Sequence, residues 1–517
     1  MGIRNFQTTQ RLLFIVLIAF LIQSCATLPS RPDLPFEPAL PPAIDGQLAQ
    51  LSARFKEKEG ADTSGFRLLI NARKALETRL ALVDLARRSI DLQYFIWQGD
   101  ASGTLFFDRL LRAADRGVKV RIIVDDIGLA SSTRNLSALN THPNLEIRIF
   151  NPNPSRDYTL GGALQFLTSF KELNRRMHNK LMIVDNHVAI AGGRNIGNAY
   201  FGLGKKYNFI DIDVLSVGAV LEESSNAFDD YWNHTAVYPV SGWGVMLPEN
   251  TYEEMRQAVS ENLADYAPQL SSYPLQPADW QKWLTVLESE LEPGEAHFLQ
   301  DDPVQIDGRD YRLVDMIAYF ADPAEHEFIL STPYLIPVGD FLKVIQEEVS
   351  EGLRVRILTN SLSSTNHTLV NSHYNKYRLP ILETGAELLE FRHQPSAGIR
   401  AQADVEPIEA PFVSLHAKVL VSDRQRCFIG SLNFDPRALV INSENGLLIE
   451  SPALAEKLTD FLEEMMAPRN AWKLLLKEDN SIVWESGDTI LTGQPSRGFF
   501  QSITEFFGRL LPIEGQL

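Results

Sequence analysis

Residues 178–195 read HNKLMIVDNHVAIAGGRN, and residues 416–433 read HAKVLVSDRQRCFIGSLN. Both place a histidine, one residue, a lysine, four residues, an aspartate, six residues and a glycine, with an asparagine three places further on. The first set is His178, Lys180, Asp185, Gly192 and Asn195; the second is His416, Lys418, Asp423, Gly430 and Asn433. Around each motif the pattern reads strand, turn, strand: Leu181 to Val184, Asp185-Asn186, then Val188 to Ile190 in the first copy. Alternate residues of a strand share a face, so each histidine and lysine emerge side by side. One such hairpin is unremarkable on a protein surface. Two with identical spacing imply a duplicated unit.

The flanking segments repeat in the same order. Ser89 to Trp97 reads as a strand, Leu105 to Arg116 as an amphipathic helix ended by Gly117, and Val118 to Val124 as a buried strand opening onto Asp125. Another strand follows at Leu145 to Phe150. In the second half the counterparts are Phe328 to Ser331, the helix Phe341 to Ser350 ended by Gly352, Leu353 to Thr359, and Leu388 to Phe391. Strand-helix-strand order implies parallel pairing with covering helices. The predicted fold class is α/β: two pseudo-symmetric α/β/α halves whose mixed β-sheets pack together. Phe66 to Leu85 reads as helix, as do Tyr252 to Tyr266 and Trp280 to Leu291 in the segment between the halves.

The ends differ in character. Arg4 and Arg11 precede a short apolar run, Leu12 to Ile22, that closes at Cys25. This has the form of a lipoprotein signal over residues 1–24, with Cys25 as the lipidation site and Ala26 mildly favouring the outer over the inner membrane. A periplasm-facing, lipid-anchored protein of the bacterial cell envelope is expected. Residues 25–45 carry six prolines and read as an extended tether. The remaining divisions are 46–240 for the first half, 241–310 for a connecting segment, 311–470 for the second half and 471–517 for a tail. In that tail Phe499, Phe500, Ile503, Phe506, Phe507, Leu510 and Leu511 recur at helical spacing, suited either to a membrane surface or to packing on the domain.

Composition narrows the chemistry. A chain of 517 residues with 44% hydrophobic content has a substantial core, and a net charge of −18 disfavours a broad nucleic-acid surface. Cys427, in an apolar stretch, reads as a core thiol, and the ten histidines show no metal-ligand clustering. No metal and no cofactor are expected. An imidazole can attack phosphorus or move a proton near neutral pH, and a neighbouring ammonium can hold a phosphate oxygen. The amides of Asn195 and Asn433 can donate to the same oxygens. Asp185 and Asp423 sit at turns and read as mainly structural members of the catalytic constellation. Two carboxylates further on, Asp211 and Glu444, suit imidazole orientation; Asp213 competes with Asp211. Taken half by half, Asp211 is expected to orient His178, while Ser431 and Glu444 back His416. Gly193 stands where the second copy has Ser431, which costs a hydrogen bond in the first half-site.

With these motifs, and with the stretches Tyr94 to Trp97, Asn174 to Lys180, Gly192 to Phe201 and Gly430 to Arg437, the chain resembles the phospholipase D superfamily, and within it bacterial cardiolipin synthases of the C type. The resemblance runs from about Leu69 to the C-terminus. It implies a phosphohistidine mechanism in which His178 is the nucleophile and His416 the acid and base, the reverse assignment remaining open, with Lys180, Lys418, Asn195 and Asn433 binding phosphate. It also implies membrane phospholipids as substrates: phosphatidylglycerol, with phosphatidylethanolamine as a second candidate, and cardiolipin as product. Hydrolysis of phospholipids or other phosphodiesters is the alternative. Tyr200-Phe201 and Tyr334-Leu335-Ile336 are candidates for an acyl groove.

Overall fold

The computed structural model describes residues 31–129, 133–153, 174–303, 313 and 324–517. The signal segment and Cys25 lie outside the described residues.

Each half is built on a mixed sheet. The first half contributes β1 (Ser64–Leu69), β2 (Ser89–Tyr94), β3 (Lys119–Asp125), β4 (Leu145–Phe150), β5 (Lys180–Val184), β6 (Val188–Gly192), β7 (Asn208–Ile210), β8 (Asp213–Gly218) and β9 (Val237–Pro239). A strand between the halves, β10 (Glu292–Gln300), is followed by β11 (Glu327–Ser331), β12 (Arg354–Asn360), β13 (Glu387–Phe391), β14 (Val413–Leu415), β15 (Val419–Ser422), β16 (Arg426–Gly430), β17 (Asn445–Glu450) and β18 (Ala471–Leu476), with β19 (Ile482–Ser486) and β20 (Thr489–Leu491) at the far edge.

Pairing runs β1-β8-β6-β5-β2-β3-β4-β9 in the first sheet. In the second it runs β10-β17-β16-β15-β11-β12-β13-β18. The two orders correspond strand for strand. Only β2-β3-β4 and β11-β12-β13 are parallel; every other neighbour in these two orders is antiparallel. The two sheets meet in one apolar core that takes Phe66, Met177, Ile210, Ile329, Val413 and Ala417 from both halves. Cys427 is buried there as well.

Three segments depart from the sequence-based expectations. Phe66 to Leu69 belongs to β1, and helix begins only at Ala72, where the Asn71 side chain accepts the Lys74 N–H. Strand pairing to β8 and β10 overrides the local helical pattern. The connecting segment holds the two expected helices, Thr251–Tyr266 and Gln281–Ser289, but ends in an unexpected strand: β10 pairs with β1 through residues 292–294 and with β17 through 295–300, stitching the sheets together. The described part of the tether, 31–45, is extended but lies along the first half. Glu37 N–H donates to Asn233 Oδ1 (2.8 Å), Ala39 N–H to Asp229 Oδ2 and Ala43 N–H to the Asp185 carbonyl.

The motif aspartates explain both hairpins. Asp185 and Asn186 take left-handed backbone (φ 54° and 53°), as do Asp423 and Arg424 (50° and 55°). Asp185 accepts the backbone N–H groups of Arg87 (2.8 Å), Arg88 (2.7 Å) and Ser89 (3.0 Å). Asp423 accepts those of Glu325 (2.8 Å), His326 (2.9 Å) and Glu327 (2.8 Å). Each aspartate locks its hairpin to the start of the neighbouring strand, β2 or β11. It stands about 15 Å, the length of β5, from the lysine end. Their place in the catalytic constellation is therefore corrected to a purely structural one. Asp185→Ala should lower stability by about 3 kcal/mol through three unpaired donors, read as a drop in denaturant midpoint, while activity per folded molecule stays near that of the parent.

Candidate active site

The strand ends that face each other across the two sheets bring the motifs together. β7 and β14 form a short parallel pair between the halves, aligning Leu415 with Ile210. Met177 and Ser443 form the symmetry-related bridge. Consequently His416 N–H donates to the Ile210 carbonyl (2.7 Å), and His178 N–H to the Ser443 carbonyl (2.9 Å). The residue after each of these carbonyls is a carboxylate, Asp211 or Glu444.

The imidazoles are thereby bonded across the halves. His178 Nδ1 lies 2.9 and 2.7 Å from the two carboxylate oxygens of Glu444, and His416 Nδ1 lies 2.5 Å from Asp211 Oδ2. This corrects the half-by-half expectation that Asp211 serves His178 and Glu444 serves His416. The reason is topological: β8 and β17 run into the interface, so each carboxylate points past its own hairpin. Asp213 is not an orienter. It pairs with Arg79 (2.8 Å) and Arg194 (3.3 Å).

The residues after the conserved-spacing glycines now have a defined effect. Ser431 Oγ donates to Glu444 Oε2 (2.5 Å), supporting the partner of His178. At Gly193 a Cβ would lie 2.1 Å from Asp211 Oδ1, so glycine makes room for the carboxylate that serves His416. The hydrogen bond that glycine cannot supply is thus missing at His416's partner rather than at that of His178. The Ile212 N–H (2.8 Å) bonds Asp211 instead.

The lysines face the same space. Lys180 Nζ donates to the His178 carbonyl, and Lys418 Nζ to the His416 carbonyl (2.7 Å). Lys418 Nζ also lies 3.2 Å from both ring nitrogens of His416. Asn195 is held in place: Oδ1 accepts the Ile96 N–H (3.0 Å) and Nδ2 donates to the Tyr200 hydroxyl (3.0 Å), which leaves one amide N–H uncommitted. Asn433 has a buried carbonyl oxygen without a partner, an acceptor suited to a hydroxyl donor; only its amide N–H groups could meet a phosphate oxygen. Phe95 meets His178 edge-on at 5.0 Å, and Tyr200 and Phe209 flank His416 at 5.3 and 4.6 Å. Phe201, Leu335 and Ile336 are buried core residues rather than an open acyl groove.

Two positioning residues escaped the sequence reading. Asp125 and Asn360 end the equivalent strands β3 and β12. Asp125 Oδ2 accepts the Met177 N–H (3.0 Å) and Asn360 Oδ1 the Leu415 N–H (3.0 Å), each fixing the residue before a histidine. Their matching places at the ends of two related strands were the available signal. A third, Asp301, accepts the Glu444 N–H (3.0 Å) just beyond β10.

Burial governs the electrostatics. His178 is 7% exposed, His416 5%, and both lysines are buried. Desolvation, then the lysine charges, push both imidazoles well below their usual range, so they are neutral in the empty site. Desolvation also brings Lys180 down to about 7 and Lys418 to about 8. It pushes Glu444 up to about 8 and raises Asp211. The neighbouring ammonium groups oppose both carboxyl shifts. Among the described residues no group of three or more His, Cys, Asp or Glu side chains could hold a metal ion.

Comparison with known proteins agrees with this geometry. The family described as cardiolipin synthase, PLD-like domain matches residues 80–232 and 318–466. Cardiolipin synthase C of Escherichia coli (strain K12) is 33% identical over 462 residues, covering 85% of this chain and 93% of its own length. Cardiolipin synthase 1 of Bacillus anthracis is 24% identical, covering 81% of this chain and 69% of its own. Among solved structures, phosphatidylserine synthase of Haemophilus influenzae Rd KW20 superposes with a TM-score of 0.57 at 15% identity, over 90% of this chain and all of that one.

Fold and site define an enzyme of the phospholipase D transphosphatidylase type, with two half-sites in one chain. Within that class, the chain belongs to the cardiolipin synthase, phospholipase D-like family.

The lysine shifts predict a pH dependence. As pH rises through about 7 and then about 8, Lys180 and Lys418 lose the ammonium charge that would hold a phosphate anion. Since kcat/KM reports the free enzyme, it should fall along an alkaline limb between those values while kcat changes less. Lys180→Met should lower kcat/KM about 10–100-fold, the value of a charge-assisted hydrogen bond, and flatten the lower part of that limb. Initial rates over pH 5–9 check both.

Proposed function

We propose that the protein transfers a phosphatidyl group between phospholipids through a phosphohistidine, forming cardiolipin from phosphatidylglycerol and a second phospholipid. The observation that carries this reading is the pair of buried imidazoles, each bonded through Nδ1 to a carboxylate of the opposite half. Such a bond leaves Nε2 as the reactive atom and stabilises the cation that forms when it bonds phosphorus or a proton.

His178 is the nucleophile in this reading. Both lysines donate to the backbone carbonyl of their own histidine, but Lys418 alone also lies 3.2 Å from both ring nitrogens of its histidine, which obstructs attack by His416. His178 Nε2 attacks phosphorus, and the departing alcohol oxygen takes a proton from His416. The incoming alcohol then returns a proton to His416 as its oxygen attacks phosphorus, and the P–N bond electrons go back to His178. Lys180, Lys418 and Asn433 hold the non-bridging oxygens.

The charge count supports this division. A bound diester adds one negative charge to the buried cluster, which favours taking up a proton there and supports one imidazolium. Exclusion of water from so buried a cluster favours transfer to an alcohol over hydrolysis. The synthase relatives support the lipid substrate, and the net charge of −18 disfavours a nucleic acid.

Incubation with labelled phosphatidylglycerol, with and without phosphatidylethanolamine, should yield cardiolipin. Phosphatidic acid as sole product would overturn the transferase reading. His178→Ala and His416→Ala should each lower turnover by about 10⁴-fold or more, and a trapped phosphoenzyme should map to His178; label on His416 would reverse the two roles.

A further inference from the structure

The helix Phe499–Gly508 touches the body of the protein with one face only. Its inward residues are Glu505 and Gly508. The Glu505 carboxylate accepts from Asn375 Nδ2 (2.8 Å), Gln494 Nε2 (3.1 Å) and Arg509 Nη2 (2.9 Å). Gly508 lies so close to Ser372 that a Cβ would come within 2.6 Å of its Oγ. Gln501 and Arg497 fasten the start of the helix to the loop after β12, donating to the carbonyls of Leu362 (2.5 Å) and Thr365 (3.1 Å).

The outward face is apolar. Phe499, Phe500, Phe506, Phe507, Leu510 and Leu511 are exposed, from 47% at Leu511 to 83% at Phe500. At 3.6 residues per turn they form one stripe. The other exposed large apolar side chains among the described residues, such as Phe36, Met246 and Ile490, are scattered singly.

Both ends of this segment are tied to segments that adjoin the reactive side chains. The loop after β12 starts at Asn360, which fixes the residue before His416. Past the helix, Gln516 accepts from Asn174 Nδ2 (2.7 Å) and the Leu517 carbonyl accepts the Arg437 N–H (2.8 Å). Asn174 lies four residues before His178 and Arg437 four residues after Asn433. The aromatic stripe and the two histidines therefore share one end of the molecule.

We propose that this face seats on the surface of a phospholipid bilayer and presents the mouth of the two-histidine site to the lipid headgroups. The proposal rests on the reading of phospholipids as substrates. A bilayer fits better than a partner protein because the stripe consists of four phenylalanines on the outward side of a helix, with two leucines just past its end, and the inward side of that helix is tied to the body. An apolar helix face of this kind is what inserts at the headgroup boundary of a bilayer. Among the described residues no helix is long and apolar enough to cross a membrane, so this contact would be superficial.

Hydrogen–deuterium exchange of the full chain, with and without vesicles of phosphatidylglycerol and phosphatidylethanolamine, tests it. Residues 499–511 should gain protection only with vesicles; the readout is local, so any N-terminal anchor does not confound it. Phe500→Ser/Phe507→Ser alters two exposed side chains and should abolish that protection. It should lower turnover of vesicle-embedded phosphatidylglycerol about tenfold or more, the worth of about one buried aromatic side chain, and leave turnover of monomeric short-chain phosphatidylglycerol unchanged. Unaltered exchange with vesicles, or equal loss on both substrates, would overturn the proposal. So would protection that rises with protein concentration alone, which would assign the stripe to a second copy. Protection without turnover of either lipid would sink the substrate reading and leave the docking site standing.

Discussion

The bond between each imidazole and a carboxylate of the other half is the constraint around which the molecule is arranged. To make it twice, β8 and β17 must run into the interface between the sheets, the β7-β14 pair must fix one approach, and the Met177-Ser443 bridge must fix the other. Asp125 and Asn360 then hold the backbone just before each histidine. A carboxylate buried in this way costs several kcal/mol unless it is paired, and the imidazoles and lysines offset that cost. Neither half contains a complete site: the duplicated unit holds half of each imidazole-carboxylate pair. The β10 strand, shared between both sheet edges, keeps the two halves in register.

Symmetry of the backbone does not extend to the chemistry. Glu444 is one methylene longer than Asp211 and reaches His178 with both oxygens, one of which also receives the Ser431 hydroxyl. Asp211 meets His416 with one oxygen, and the space a serine would need is already filled by its own carboxylate. Thus Gly193 and Asp211 are a matched pair, as are Ser431 and Glu444. A change at one member alone would create either a clash or an unsupported carboxylate. Aromatic packing is unequal too, with Phe95 on one ring and Tyr200 and Phe209 on the other.

The parts legible in the sequence were those with a short-range signature. The strands and helices of both halves showed period-2 and period-3.6 patterns, and the His-x-Lys spacing placed both side chains on one face. The aspartates at the turns were readable as structural because Asp-Asn invites left-handed backbone. The crossed pairing was not readable. His178 and Glu444 are 266 residues apart, and His416 and Asp211 are 205 apart, while each carboxylate has a nearer histidine in its own half. Nothing local distinguishes the two partners; the course of β8 and β17 does. The strand β10 was missed for a related reason. Pro293 and Gly294 are poor strand residues, and the segment becomes a strand because two open sheet edges offer it partners. Phe66 to Leu69 has the opposite history: a helical-looking run recruited into β1 by its neighbours.

Burial explains why such a cluster needs its substrate to become reactive. Empty, neither imidazole gains by protonation, because each is buried and already faces lysine charge. A phosphodiester changes that balance by a single negative charge. Its oxygens compete for the lysine that lies against His416, which frees that ring and compensates a proton on it. Nothing comparable is needed at His178, whose neutral ring is already oriented with Nδ1 on Glu444. In the proposed mechanism, the anion that binds thereby creates the pattern it requires: one neutral imidazole on the side of attack and one protonated imidazole on the side of departure. A site open to water would lose this dependence, since solvent would screen the lysines and bring both imidazoles back toward their ordinary range.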